Sequence, residues 1–349
     1  MRTAFVTGAT GLLGNNLVRM LAARNVRVRA LSRSVEKARF QFGDRENVEV
    51  VLGDLMDIGG FAGALGGSDV LFHTAAFFRD SYKGGNHKGA LTAVNEEGTA
   101  RLMEAAYAAG IRRMVHTSSV GVLMGRNGQA ANETMLRPEQ EADDYYLSKI
   151  KTDQTVLSFL ECHSDMFGVL VLPGWMHGPG DMGPTSAGQF TLDYVRRKLP
   201  GIPPGGFSLV DARDVAAAMI GAVEKGVRGE RYIVAGQALT MSELVSAYER
   251  VTGIPAPRWR IPAPLMLLLA VANEGYARLT GRPVLISLAS TRLLLREKDR
   301  RRFDSSRSER ELGVVFRSVE ETLVDEISWY RRIGWLPSKE NEESDNEKS

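Results

Sequence analysis

Residues 6–14 read VTGATGLLG and place glycines at positions 8, 11 and 14. This loop follows a β-rich run over residues 3–8 and precedes apolar residues at helical spacing over residues 15–24. Glycines permit a tight turn and let backbone N–H groups approach a pyrophosphate at a helix N-terminus, where the helix dipole favours anions. The order of strand, loop and helix therefore predicts a dinucleotide site, although the spacing is one residue wider than in the G-x-G-x-x-G fingerprint. The residues of this predicted site are Thr7, Gly8, Thr10, Gly11, Leu12, Leu13 and Gly14. A tight turn without a ligand is the alternative.

Short β-rich runs alternate with helical patterns over the first two-thirds of the 349 residues. The runs cover residues 3–8, 26–31, 48–53, 69–74, 113–118, 167–173 and 231–236. Nearly continuous Val, Leu and Ile strands that alternate with helices indicate a parallel sheet covered on both faces. The fold class expected is therefore α/β, a Rossmann-type doubly wound parallel sheet.

The pattern changes near residue 175, where glycine and proline become frequent, and helical patterns dominate from 241 to 333. We expect a dinucleotide-binding Rossmann domain and a smaller, mainly helical C-terminal substrate-binding lobe. The domain would comprise residues 1–175 with a contribution from 206–236, and the lobe residues 176–205 and 237–336. Residues 337–349 contain almost no apolar side chains and should be disordered.

Composition limits the partners and the compartment. The chain is 44% hydrophobic and 25% charged with a formal charge of +2, which is typical of a globular protein and not of a nucleic-acid-binding one. The lone Cys162 excludes a disulfide within the chain and is consistent with the reducing cytoplasm. The five histidines lack metal-ligand spacing, so no metal is expected.

Membrane attachment is not expected either. The N-terminus lacks the pattern of a signal peptide. The most apolar segment, residues 261–272, is too short for a membrane span, and we expect it to be a buried helix, with membrane-surface contact as the alternative.

The end of the second predicted strand bears on the choice of cofactor. An acidic residue at this position usually holds the ribose 2′-OH of NAD, whereas an arginine suits the 2′-phosphate of NADP. Here Arg33 and Lys37 are present, and no acidic residue occurs between positions 26 and 35. The sequence therefore favours NADPH over NAD, and a solvated basic turn is the alternative.

Two further strand ends complete the predicted cofactor site. Asp54 and Leu55 follow the third strand, where Asp54 could contact the adenine or cap a helix. Small residues at the end of the fourth strand would let a flat cofactor pass close to the backbone. These are Thr74, Ala75 and Ala76.

Candidate catalytic residues follow the fifth strand. Ser118 and Ser119 end it at the carboxyl edge of the sheet, where open α/β sheets bind ligands. Further along, DDYYLSKIK (143–151) places Tyr145 and Lys149 four residues apart on one predicted helix face. Tyr146 is three residues from the same lysine, so the spacing leaves two candidate tyrosines, and an ordinary amphipathic helix is the alternative.

Taken together, TGATGLLG, TSS and YYLSK resemble the T-G-x-x-G-x-x-G loop, strand-end serine and Y-x-x-x-K helix of the extended short-chain dehydrogenase/reductases. VNEEGTARLMEAA (94–106) and LPGWMHGPGD (172–181) match two further motifs of that family. The similarity extends to about residue 336. It is nearest to the branch that resembles dihydroflavonol-4-reductases and hydroxysteroid dehydrogenases.

The resemblance implies roles for particular residues. It selects Tyr145 as the general acid, Ser119 as the partner of the substrate oxygen and Lys149 as the group that lowers the tyrosine pKa and binds the nicotinamide ribose. Asn95 would support this set, and Pro173 and Gly174 match the loop beside the nicotinamide. Ser118, one position before Ser119, is the alternative for the family serine and is otherwise expected to contact the cofactor. His177 departs from a tyrosine common in the family. The family also implies a homodimer.

The function expected is the NADPH-dependent reduction of a ketone or aldehyde in a small, moderately apolar molecule. A nucleotide-sugar epimerase or dehydratase that recycles NAD is the enzymatic alternative. The non-enzymatic alternative is an NADP-binding redox sensor. The segment 77–89 could contact the substrate or be a solvated connection.

Overall fold

The structure is a computed structural model that describes residues 1–78, 87–125, 128–280, 288, 291–292, 295 and 302–337. The expected tail, apart from Pro337, and residues 79–86 of the possible substrate segment lie outside these ranges. The strands are β1 (Thr3–Thr7), β2 (Arg27–Ser32), β3 (Val48–Leu52), β4 (Val70–His73), β5 (Arg113–Thr117), β6 (Phe167–Pro173), β7 (Trp175–His177), β8 (Gly206–Asp211), β9 (Arg231–Val234) and β10 (Gln237–Thr240).

Seven of these strands form one parallel sheet in the order β3-β2-β1-β4-β5-β6-β9. Val6 of β1 pairs with Ala30 of β2 on one side and Phe72 of β4 on the other. The strand order reverses between β1 and β4, and ligands of open α/β sheets bind outside the carboxyl ends of the strands at such a reversal. The expected Rossmann-type α/β fold is confirmed.

Helices cover both faces of this sheet. They and the lobe helices are α1 (Leu12–Ala23), α2 (Val35–Phe42), α3 (Lys88–Leu91), α4 (Gly98–Ala108), α5 (Asp144–Cys162), α6 (Ser186–Val195), α7 (Ala212–Lys225), α8 (Met241–Thr252), α9 (Ala263–Thr280) and α10 (Val319–Arg332). Side chains of α1, α2 and α7 fill the core on one face, and those of α4 and α5 fill it on the other. Burial on both faces explains why the strands are nearly continuous apolar runs.

The smaller lobe combines helices with a second sheet that the sequence did not predict. Strand β8 pairs with β7 in parallel and with β10 antiparallel. Helices α6, α8 and α10 pack around this sheet over a separate aromatic-rich core. Within the segment 206–236, α7 and β9 lie with the main sheet, whereas β8 lies in the lobe.

The apolar segment 261–272 differs from the expected buried helix. It begins α9, which lies at the surface: Met266 and Ala270 are buried, whereas Leu268 and Leu269 are exposed. The helix packs through one narrow face, and apolar residues also occupy the face that is left open. Within the described ranges, no helix is both long and apolar enough to cross a bilayer.

Replacing Gly14 by alanine should destabilise the fold, because an added Cβ would collide with the carbonyl oxygen of Gly8. We expect a loss of about 1–3 kcal/mol in the free energy of unfolding, the usual cost of overpacking. Gly63→Ala is the control, since nothing lies within 4 Å of its added Cβ. Urea unfolding measures both, and equal stabilities for the two variants would contradict the expected close approach of Gly8 and Gly14.

Candidate functional site

The glycine loop joins β1 to α1 with little space around its backbone. Gly8 has φ +65°, and a Cβ there would lie 2.7 Å from the backbone nitrogen of Ala75. Gly11 is the N-cap of α1 and has no side chain that could accept the N–H groups of the first turn. These groups can bind an anion such as a pyrophosphate. Leu12 and Leu13 begin the helix with buried side chains.

Thr7 ties this loop to the end of β4. Thr74 donates from Oγ1 to the Thr7 carbonyl oxygen at 2.7 Å, and the Ala75 N–H donates to Thr7 Oγ1 at 3.3 Å. Thr7 Oγ1 is also 2.7 Å from Nδ1 of the buried His73. Burial, assisted by the charge of Lys149, lowers the pKa of His73 to about 3, so the ring is neutral. The expected residues 74 and 75 therefore lie at the glycine loop, and Ala76 is exposed beside them.

The carboxyl end of β2 carries two cationic side chains. Arg33 is exposed, and its Nη1 lies 3.8 Å from Oδ2 of Asp54. Burial lowers the pKa of Lys37, although nearby Asp181 opposes this shift. The Asp54 carboxylate also accepts the Met56 N–H at 3.0 Å, so it shapes a turn rather than capping a helix. Leu55, next to it, is buried.

Tyr145 and Lys149 lie in the first half of α5, which Asp143 caps by accepting the Tyr146 N–H at 2.8 Å. Both side chains are buried. The Lys149 ammonium donates to the carbonyl oxygen of Thr117, the last residue of β5, at 3.0 Å. Burial lowers the pKa of Lys149 from 10.5 to about 8. An edge-on ring contact with Phe78, at 4.8 Å between centroids, covers Tyr145.

The second tyrosine has a different environment. The ring of Tyr146 fills the space where a Cβ of Gly121 would lie. The guanidinium of the buried Arg137 lies 4.8 Å from the centre of this ring and donates from Nε to the Gly121 carbonyl oxygen at 2.7 Å. Tyr146 thus packs the loop that follows β5.

The two serines after β5 also differ. Ser118 is buried beside the carboxylate of Asp153 on α5, to which its hydroxyl can donate a hydrogen bond. Ser119 is half-buried and accepts the Gly121 N–H at 3.1 Å. A hydroxyl has one proton to donate, so Ser119 can still donate a hydrogen bond to a ligand oxygen.

Asn95 lies in a π-helical segment, Thr92–Glu97, that joins α3 to α4. Its amide donates to the carbonyl oxygen of Phe77 at 3.1 Å and accepts the Phe77 N–H at 2.7 Å. It also donates to Ser148 Oγ at 3.1 Å. The structure therefore places Asn95 between the end of the β4 loop and α5, where it positions other residues.

Three more of the positions singled out in the sequence lie where β6 leads into β7. Pro173 ends β6, and Gly174 donates from its N–H to the Val234 carbonyl oxygen at 3.1 Å. A Cβ on Gly174 would lie 2.6 Å from the Ser208 carbonyl oxygen, so glycine is required where the two sheets meet. His177 is fully buried, and its Nδ1 lies 2.9 Å from Oε2 of Glu326. It therefore belongs to the core of the lobe.

The residues that form this site lie within the part of the chain that matches a known family model. The family model described as "NAD dependent epimerase/dehydratase family" matches residues 4–235. The chain belongs to this family. The resemblance to the extended short-chain dehydrogenase/reductases is thereby confirmed.

Individual relatives agree with this assignment. The chain is 38% identical over 338 residues to sterol demethylase protein B of Methylococcus capsulatus, covering 96% of this chain and 100% of the relative. It is 32% identical to a putative dihydroflavonol 4-reductase of Synechocystis over 96% of both chains. The crystal structure of gox2253 superposes with a TM-score of 0.81 at 31% identity, covering 96% of this chain and 100% of that one. Solved proteins of this fold contain NADPH in one case and NAD⁺ in another. The protein is thus a member of an NAD(P)-dependent family of oxidoreductases and epimerases.

A buried carboxylate that the sequence patterns did not predict also lies in this site. Asp153 lies one turn after Lys149 on α5, and its Oδ2 is 3.3 Å from Nε of Arg231 on β9. Burial raises the pKa of Asp153, and the Arg231 charge opposes this shift. The signal was available, because positions 149 and 153 share a helix face.

Lysine 149 should leave a signature in the pH dependence of stability. The pKa of Lys149 is lowered in the folded protein, so burying its cation reduces the free energy of unfolding below about pH 8. This free energy rises again between pH 8 and 10.5, because the folded protein releases the proton before the unfolded chain does. Relative to Lys149→Met, the wild type should gain about 3 kcal/mol of unfolding free energy over that interval. Urea unfolding at several pH values measures the difference. Parallel stability curves for the two proteins would contradict the burial of a charged amine.

Proposed function

We propose that this protein is an NADPH-dependent carbonyl reductase that acts on a moderately apolar small molecule through Ser119, Tyr145 and Lys149. The observation that carries the proposal is the burial of Lys149. This lysine shares a face of α5 with Tyr145, and its ammonium donates a hydrogen bond to the end of β5. Such a desolvated amine is costly, and strongly shifted pKa values concentrate at functional sites. Ser119 follows β5 at the same edge of the sheet.

The mechanism follows from what a carbonyl reduction requires. When bound, the reduced nicotinamide supplies a hydride to the carbonyl carbon. Ser119 donates a hydrogen bond to the carbonyl oxygen, and the Tyr145 hydroxyl donates the proton that this oxygen needs. A free tyrosine has a pKa of about 10, and moving it to about 7 requires about 4 kcal/mol of differential stabilisation. The Lys149 ammonium supplies part of this by stabilising the phenolate.

Preference for NADPH is supported by the charges at the end of β2. Arg33 and Lys37 are cationic, and the nearby Asp54 carboxylate is already engaged by the Met56 N–H and by Arg33. A guanidinium binds phosphate oxygens with two parallel hydrogen bonds, which suits a ribose 2′-phosphate. A carboxylate free to accept from a ribose 2′-OH would instead favour NADH.

An apolar substrate is supported by the side chains around Tyr145. Phe77 and Phe78 end the described part of the β4 loop, and the ring of Phe78 contacts that of Tyr145. Two relatives carry names that refer to a sterol and to a dihydroflavonol, both of which contain fused rings. We therefore extend the proposal to a ketone on a polycyclic ring system.

Homodimerisation is part of the proposal. Helices α4 and α5 pack side by side, and Ala105, Tyr107 and Leu157 on them are only partly buried. These side chains could pair with a second copy across a two-fold axis. Light scattering should give the mass of a dimer, and a monomer mass would reject this arrangement.

An NADPH-oxidation screen with ketones, aldehydes, sterols and nucleotide-sugars tests the reaction. Tyr145→Phe should lower kcat by about 10²–10⁴-fold, the usual contribution of a general acid, while the Kd for NADPH stays unchanged. Tyr146→Phe is the matched control and should retain wild-type turnover, because that ring packs against Gly121.

Two outcomes would overturn the proposal. One is near-normal turnover in Tyr145→Phe. The other is the interconversion of a nucleotide-sugar without added cofactor by a protein that purifies with bound NAD, which would assign the epimerase chemistry of the family instead.

The cofactor preference has its own test. Arg33→Ser should raise the Kd for NADPH by about tenfold to a hundredfold through loss of charge-assisted hydrogen bonds, and should leave the Kd for NADH unchanged. Arg39→Ser is the control, since this arginine is exposed on α2 of the same region. Fluorescence titration measures both constants. Tighter binding of NADH than NADPH by the wild type would reject the preference.

A further inference from the structure

Helix α9 presents an uncharged apolar stripe to solvent. The stripe residues recur three or four positions apart and therefore share one helix face. They are Leu265, Leu268, Leu269, Ala272, Tyr276 and Leu279. Leu268 is 65% exposed and Leu279 is 89% exposed. From the first to the last of these residues the stripe is about 21 Å long at 1.5 Å per residue.

The opposite face fixes the helix to the lobe, so the direction of the stripe is determined. Met266 and Ala270 on that face are buried. Just before the helix, the Ile261 N–H donates to the Ile202 carbonyl oxygen at 2.9 Å, and the Ile202 N–H donates to the Trp259 carbonyl oxygen at 2.8 Å. Monomeric proteins rarely expose a continuous apolar surface of this kind, and such surfaces usually mark interaction sites.

The residues at the ends of the stripe indicate the chemistry of its partner. Arg258 and Arg260 are exposed immediately before α9, and Trp259 between them is 49% exposed. Tyr276 lies toward the other end of the stripe. In sequence, residues 278–302 contain eight arginines and lysines and two acidic residues. Aromatic rings toward both ends of an apolar surface, with Arg258 and Arg260 at its N-terminal end, match the layers of a bilayer surface with anionic headgroups.

A second copy of this chain is a poorer partner by the same criterion. Two copies packed stripe against stripe in parallel would bring Arg258 and Arg260 of both copies together, and like charges repel. An anionic lipid surface instead matches both the apolar stripe and the two arginines that precede it.

We propose that α9 docks this protein on the surface of an anionic lipid bilayer, with the stripe in the acyl–headgroup boundary and Arg258 and Arg260 at lipid phosphates. The helix lies in the plane of the membrane and does not cross it. This inference does not depend on the catalytic proposal, because lipid binding is measured without substrate. Docking would give the enzyme access to apolar molecules dissolved in the membrane.

Co-sedimentation of the full chain with lipid vesicles tests the docking. We expect binding to phosphatidylcholine vesicles that contain about one-third phosphatidylglycerol, and weaker binding to pure phosphatidylcholine. The double variant Leu268→Asp/Leu279→Asp should partition at least about tenfold more weakly, since it loses two leucine side chains that the bilayer would bury. Arg258→Glu/Arg260→Glu should lose the preference for the anionic vesicles.

Val315→Asp is the matched control, because Val315 is 83% exposed outside α9, and it should bind as the wild type does. Circular dichroism establishes that every variant is folded. Failure of the wild type to bind either vesicle, or equal binding by the leucine double variant, would overturn the proposal. So would light scattering that shows a wild-type dimer converted to a monomer by the leucine changes, since a second copy would then cover the stripe.

Discussion

The site depends on the hydrogen bond by which the buried ammonium of Lys149 contacts the end of β5. A lysine at this depth is unfavourable unless its charge is compensated, and two features of the fold provide compensation. The Thr117 carbonyl oxygen at the end of β5 accepts its hydrogen bond, and Asp153 one helical turn away attracts its charge. Asp153 is itself paired with Arg231 on β9, so the charge of the site is linked to two strands of the main sheet.

The lobe is attached directly to the glycine loop. Asn15 on α1 donates from Nδ2 to the carbonyl oxygen of Gly180 at 3.1 Å, and Asn16 donates to that of Pro179 at 2.8 Å. Gln41 at the end of α2 also donates to the Thr10 and Gly180 carbonyl oxygens at 3.2 and 3.3 Å. The loop that leads into the lobe thus packs on the elements predicted to hold the cofactor phosphates.

Local patterns predicted the sheet domain well, because its strands and turns depend mainly on residues that are neighbours in the sequence. VTGATGLLG marks a strand–helix turn wherever it occurs, and the order of the strand-end serines and the α5 lysine follows the chain. The lobe was harder, because its strands β7 and β10 are only three and four residues long. Apolar composition likewise predicted a helix after residue 261 but not which face of it packs, since this depends on distant residues such as Phe207. The pairing of His177 with Glu326 and that of Asp153 with Arg231 each join residues far apart in the chain, so neither partner could be predicted from local spacing.

The measurement that tests the account most directly is an NMR titration of the Lys149 side chain, assigned by comparison with Lys149→Met. The account predicts a titration midpoint of about 8, because burial disfavours the ammonium. A midpoint near the ordinary lysine value of about 10.4 would show a solvated amine and would contradict the proposed role of Lys149 beside Tyr145.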